Sequence, residues 1–146
     1  MKTMSESILV SAAQYTQAKD ENPAFDPLGL MIKASYDAIA NTGNSNVQNI
    51  IDTACVINRS SHDDEYLPVA LSSALGINPR LTIYSLIGGN SPQMLVNHFA
   101  RDIAIGRRRA VLLTGAEAIY SLHRVAKGRT ILDWQSNVTL QHFKRK

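Results

Sequence analysis

Leu81-Thr82-Ile83-Tyr84-Ser85-Leu86-Ile87-Gly88-Gly89-Asn90-Ser91-Pro92 decides how the rest of the chain is read. Residues 81–86 are rich in strand formers and end at two glycines, so a strand over 81–86 turns sharply there. Ser91 can cap a helix and Pro92 fits its first turn. Leu95, Val96, Phe99, Ala100 and Ile103 then recur at helical spacing, which predicts a helix over 92–105 that stops at Gly106. Ala110-Val111-Leu112-Leu113-Thr114 follows as a strand, apolar almost throughout, as expected of a strand buried on both faces.

Working outward, the same alternation continues towards the start of the chain. Ile8-Leu9-Val10-Ser11-Ala12-Ala13 reads as a strand over 8–13, followed by a polar loop from Thr16 to Asn22. Asp26-Pro27 supplies a capping carboxylate and a proline at the first helical position. Leu28, Met31, Ile32, Ser35 and Ile39 continue it as a helix over 27–42, closed by Gly43 in a left-handed cap. Residues 51–57 read as a strand and Arg59–Glu65 as a polar loop. Leu67, Ala70, Leu71, Ala74 and Leu75 mark a helix over 66–75 that ends at Gly76. Such alternation predicts an α/β fold, a mostly parallel sheet covered by helices. The pattern fades after Ser121. Residues 1–121 are therefore expected to form one α/β domain, and 122–146, which hold Trp134, a tail or the start of a further loop domain.

Composition narrows the classes of function. Of 146 residues 45% are apolar, in keeping with one soluble globular domain. No apolar run approaches the ~18 residues of a membrane span, and the apolar stretch before Val10 is too short for a secretory signal. Cys55 is the single cysteine, which excludes an internal disulfide and fits a reducing cytoplasm. The net charge of +3 gathers in Arg107-Arg108-Arg109 and in Lys144-Arg145-Lys146. No basic face interleaves with aromatics, so nucleic acid is not an expected partner.

Few residues carry chemistry. The turn at Gly88-Gly89-Asn90-Ser91 sits where a helix N-terminus offers free N–H groups and partial positive charge. It reads either as a tight turn before a capped helix or as a ligand-binding turn. It has no cysteine, no P-loop lysine and no dinucleotide fingerprint. Cys55, inside a strand, reads as a buried thiol, and Ser91 as a helix cap with no identifiable base. Glu117 follows a strand, and either shapes a pocket by local hydrogen bonding or takes a more direct part in a site. His98 lies off the apolar stripe of its helix and reads as surface. His62-Asp63-Asp64-Glu65 reads as a solvated loop, because adjacent positions do not converge easily on one ion. No metal site is expected.

In order and spacing these segments resemble the thiolase superfamily. The matching stretches are Tyr84–Asn97, Ile103–Gly106, Val111–Ser121 with Gly115-Ala116-Glu117, and Val10–Thr16. The Gly88-Gly89-Asn90-Ser91-Pro92-Gln93 turn is similar to that of thiolase-like acetyl-CoA acetyltransferases. The likeness covers about residues 8–135 and implies a thiolase-like N-terminal half. Its implied chemistry is acyl transfer from CoA thioesters, in lipid metabolism, with acyl-CoA as substrate or ligand and no other cofactor. Aligning Gln93 with the family glutamine puts Gly88 at the place of the nucleophilic cysteine, with Gly89 beside it. The family's Gly-His-Pro and Cys-x-Gly segments are absent, and His62, His98, His123 and His142 match neither. The resemblance thus implies a degenerate active-site turn at Gly88, Gly89, Asn90 and Ser91, no catalytic residue, pocket support from Glu117, and a chain inactive alone. The chain would be a fragment, a natural truncation or half of a split protein. The alternative is a non-catalytic acyl-CoA-binding or partner-dependent interaction module. Relatives dimerise through the strand matching 81–86 and the following helix, so the resemblance implies a homo-oligomer or a chain that needs its missing half.

Overall fold

A computed structural model describes residues 5–19, 24–44, 46–58 and 65–128. Helix α1 spans Pro27–Asn41, α2 Val47–Ile50, strand β1 Thr53–Val56, α3 Leu67–Leu75, β2 Leu81–Tyr84, α4 Ser91–Ala104, β3 Val111–Thr114 and α5 Ile119–Ala126. The strands form one parallel sheet in the order β2-β1-β3. Thr53 pairs with Leu81 on one side and Val111 on the other, and Val56 with Tyr84 and Thr114.

That order fixes where the helices go. The chain moves from β1 to β2 through α3, then returns across β1 to β3 through α4. Two right-handed crossovers running in opposite directions put their helices on opposite faces of the sheet. The side chains agree. Ala54 and Val56 pack with Leu28 and Met31 of α1 and with Leu67, Leu71 and Leu75 of α3. Cys55, between them in sequence, faces the other way, onto Leu95 and Phe99 of α4. β1 is buried at every residue.

Local signals place the helices. Asp26 Oδ1 accepts the Gly29 N–H at 2.6 Å and caps α1, with Pro27 in its first turn. Gly43 follows α1 at φ 65°. Gly76, at φ 66°, closes α3, and Ile77 N–H reaches back to Ser72 O. These are the left-handed positions that favour glycine. Helix α1 is tied to α3 by the Tyr36 hydroxyl, which donates to Ala74 O at 3.0 Å.

Four expectations are corrected. Residues 8–13 form no strand: Ile8, Leu9 and Val10 are 75%, 86% and 61% exposed. A strand needs a ladder, and among the described residues 8–13 pair with no strand. Ser5 N–H donates to Ala104 O, and Tyr15–Ala18 lie beside the residues after β3. The expected strand over 51–57 shortens to Thr53–Val56, in register with both neighbours, with Asp52 and Ile57 still bonding to the flanking backbone at its ends, and Ile50 before it belongs to the short helix α2. The strand buried on both faces is β1; β3 is half-buried because β1 is its one ladder partner among the described residues. Ser91 does not cap α4 through its side chain, since its hydroxyl donates backwards to Leu86 O at 3.1 Å. Helix α5 crosses residue 121, where the apolar pattern had faded. Arg59–Asp64, and with them His62, and residues 129–146 lie outside the described residues.

Candidate functional site

Parallel strands end on one side of the sheet, and ligands of open α/β folds bind beyond those carboxyl ends, where neighbouring connections diverge. Here the loop after β1 leads off towards β2, while β3, on the other side of β1, leads to α5. An open depression of about 530 Å³ lies there, lined by residues that follow each strand. Ile57 and Asn58 follow β1; Ile87, Gly88, Gly89 and Pro92 follow β2; Gly115, Ala116 and Glu117 follow β3. Its volume falls within the ~300–1,000 Å³ of small-molecule sites.

A short hydrogen-bond chain sets the walls. The Tyr84 hydroxyl donates to Asn58 Oδ1 at 2.8 Å, and Asn58 N–H donates to Ser85 Oγ at 3.0 Å. The Ser85 and Ser91 hydroxyls both donate to Leu86 O, each at 3.1 Å. Ser85 and Ser91 are buried. The β2–α4 turn is thereby fastened to the end of β1 and to the first residue of α4. Gly115 lets β3 close on β1, because a Cβ there would lie 3.1 Å from Ile57 Cβ.

Gly88, Gly89 and Glu117 line the depression, while Asn90, which is exposed, and Ser91, which is buried, do not. Neither glycine carries a nucleophile. The Glu117 carboxylate accepts the Ala118 N–H at 3.1 Å and also lines a smaller cavity of about 170 Å³ with Tyr15, Gln17, Tyr120 and Arg124. Among the described residues, Glu117 is the single ionisable one in the larger depression, and no cationic side chain lines it.

Cys55 is in the wrong place to act. It is fully buried against Leu95 and Phe99, and burial pushes its thiol from 9.0 up to about 11, away from the thiolate that reacts. His98 is exposed on α4, with Nε2 3.6 Å from Asp102 Oδ2. Asp102 is buried and also takes Arg107 at 3.3 Å. This cluster ties the end of α4 to the loop before β3. Among the described residues no group of side chains is set to hold a metal ion.

Asn58, Tyr84 and Ser85 had no signal of their own as site residues. Their positions did: each sits at or just past the end of a parallel strand, where α/β sites form.

No family model matches the chain, and no curated protein does. Among solved structures it is similar to the crystal structure of a monomeric SCP2-thiolase like protein type 1 from Mycobacterium smegmatis, with TM-score 0.64 and 26% identity. The match covers 75% of this chain and 22% of that one, so the chain spans about a fifth of that protein's length. The fold is thiolase-like: an α/β unit with a three-stranded parallel sheet between helices.

Proposed function

We propose that this chain is an acyl-CoA-handling unit of the thiolase-like type that holds an acyl group without transferring it by itself. The observation that carries the reading is the depression at the carboxyl ends of the strands. It lies at the Gly88-Gly89 turn that the resemblance aligns with the family's nucleophile, yet among the described residues its lining holds glycine at 88, 89 and 115 and no cysteine, serine or threonine. The lining favours a neutral, largely apolar group. Ile57, Ile87, Pro92 and Ala116 offer apolar surface, and among the described residues no cationic side chain in the lining is there to receive an anion. The CoA phosphates would therefore lie outside the depression. Acetyl-CoA acetyltransferase activity, as in the proteins that share the turn, would need a nucleophile and a base from elsewhere. The lone thiol fits a reducing compartment, the cytoplasm.

Calorimetric titration with acyl-CoA, paired with intact-mass measurement after incubation, tests this. The expected result is saturable binding with the protein mass unchanged. A stable acyl adduct would show that the chain is a catalyst after all, and no binding would remove the reading.

A second reading, a partner-dependent interaction module, rests on exposed apolar side chains. Leu86 is 86% and Ile87 62% exposed beside β2, whose outer edge has no strand partner among the described residues.

A further inference from the structure

We propose that Gly89 determines which acyl groups the depression admits, its absent side chain being the space that the ligand occupies. The inference rests on the acyl-binding reading above and adds the residue that sets its specificity. Gly88, Gly89 and Gly115 line the depression, and packing accounts for two of them. A Cβ on Gly88 would lie 2.9 Å from Ser91 Oγ, and that hydroxyl is already committed to the Leu86 carbonyl. A Cβ on Gly115 would lie 3.1 Å from Ile57 Cβ, where β3 closes on β1.

Gly89 has no such reason. A Cβ built on it meets nothing within 4 Å. Its φ is outside the left-handed region, where Gly43, Gly76, Gly106 and Gly128 lie, so its backbone does not demand glycine. A glycine not required by the turn or the packing still costs conformational entropy on folding. What its missing side chain leaves is open space beside a depression that Gly89 lines together with Ile87 and Pro92. Glycine is the residue that lets a ligand approach the backbone closely. On this proposal a side chain at 89 takes up space that the acyl chain would otherwise occupy.

The test compares wild type with Gly89→Ala, Gly89→Leu and Gly88→Ala, using decanoyl-CoA, acetyl-CoA and free CoA as probes. Gly89→Ala and Gly89→Leu should keep the thermal midpoint, while Gly88→Ala should lower it. Gly89→Leu should weaken decanoyl-CoA binding by at least about tenfold, as crowding a pocket by a few methylenes does, with a smaller change for acetyl-CoA and none for free CoA. In Gly89→Cys, iodoacetamide should alkylate the introduced thiol far faster than buried Cys55, and decanoyl-CoA should block that alkylation. If Gly89→Leu binds decanoyl-CoA like wild type, or if the Gly89 variants lose stability as Gly88→Ala does, the proposal is overturned. If wild type binds none of the thioesters while the introduced thiol of Gly89→Cys still alkylates rapidly, the acyl-binding reading has failed although the wall is open, and the specificity claim goes with it.

Discussion

At the scale of single residues, the contrast between Cys55 and the glycines of the β2–α4 turn governs what the chain can do. The one thiol is buried on the α4 face of β1, and Gly88 and Gly89, which border the depression, have no side chain to react. Desolvation raises the Cys55 pKa from 9.0 to about 11. The folded state therefore keeps its proton after the unfolded chain has lost it. The contribution is complete below pH 9 and is lost as pH rises from about 9 to about 11. Denaturation midpoints should thus fall more steeply over that range in wild type than in Cys55→Ala, and an equal fall in both would contradict the burial of this thiol. The residue type was legible in advance, since a cysteine within an apolar strand is among the most often buried residues. The role of Gly89 was not, because the sequence marks a glycine in a turn without saying whether the backbone, a neighbour or a ligand requires it.

At the scale of elements, helices announced themselves more clearly than strands. Asp26-Pro27, Gly43 and Gly76 fix the ends of α1 and α3, and the local chemistry that favours those ends is the chemistry that forms them. Loss of the Asp26 cap in Asp26→Ala should cost about 0.5–2 kcal/mol, measured by urea unfolding; no change would mean that the 2.6 Å contact to Gly29 N contributes nothing. Strands depend on partners that a local pattern does not contain. Residues 8–13 have strand composition and no ladder, whereas Thr53–Val56 has a ladder partner on each edge, β2 and β3, and helices on both faces. Ser91 shows the same limit within a turn. Its type suits a cap, yet Leu86 O lies within reach and takes its proton. The depression was legible only in outline: the turn at 88–91 and Glu117 stood out, but Asn58 and Ser85 came to it through strand order, which a one-dimensional pattern does not give.

At the scale of the whole molecule, two short apolar segments outside the sheet, 8–10 and 86–87, lie uncovered among the described residues. Ile8, Leu9, Val10, Leu86 and Ile87 are all more than half exposed, and large contiguous apolar patches usually mark an interface or an aggregation risk. We propose that the chain self-associates or takes a partner over this surface, and sedimentation across a concentration series should show it. Leu86→Lys should weaken self-association by about tenfold, worth ~1.4 kcal/mol. A single monomeric species at high concentration, in wild type and variant alike, would end that expectation. The fold class followed from alternation of elements, which survives errors at any one of them.

The acyl-holding site proposed at the carboxyl ends of β1, β2 and β3 has no cysteine, serine or threonine in its lining among the described residues. Amide chemical shifts recorded while decanoyl-CoA is added test it most directly. The account predicts saturable shifts confined to Ile57, Asn58, residues 86–91 and residues 115–118, reversed when the thioester is removed. Shifts clustered on the opposite end of the sheet, around Asp52, Arg80 and Arg109, or no shifts at any concentration, would contradict it.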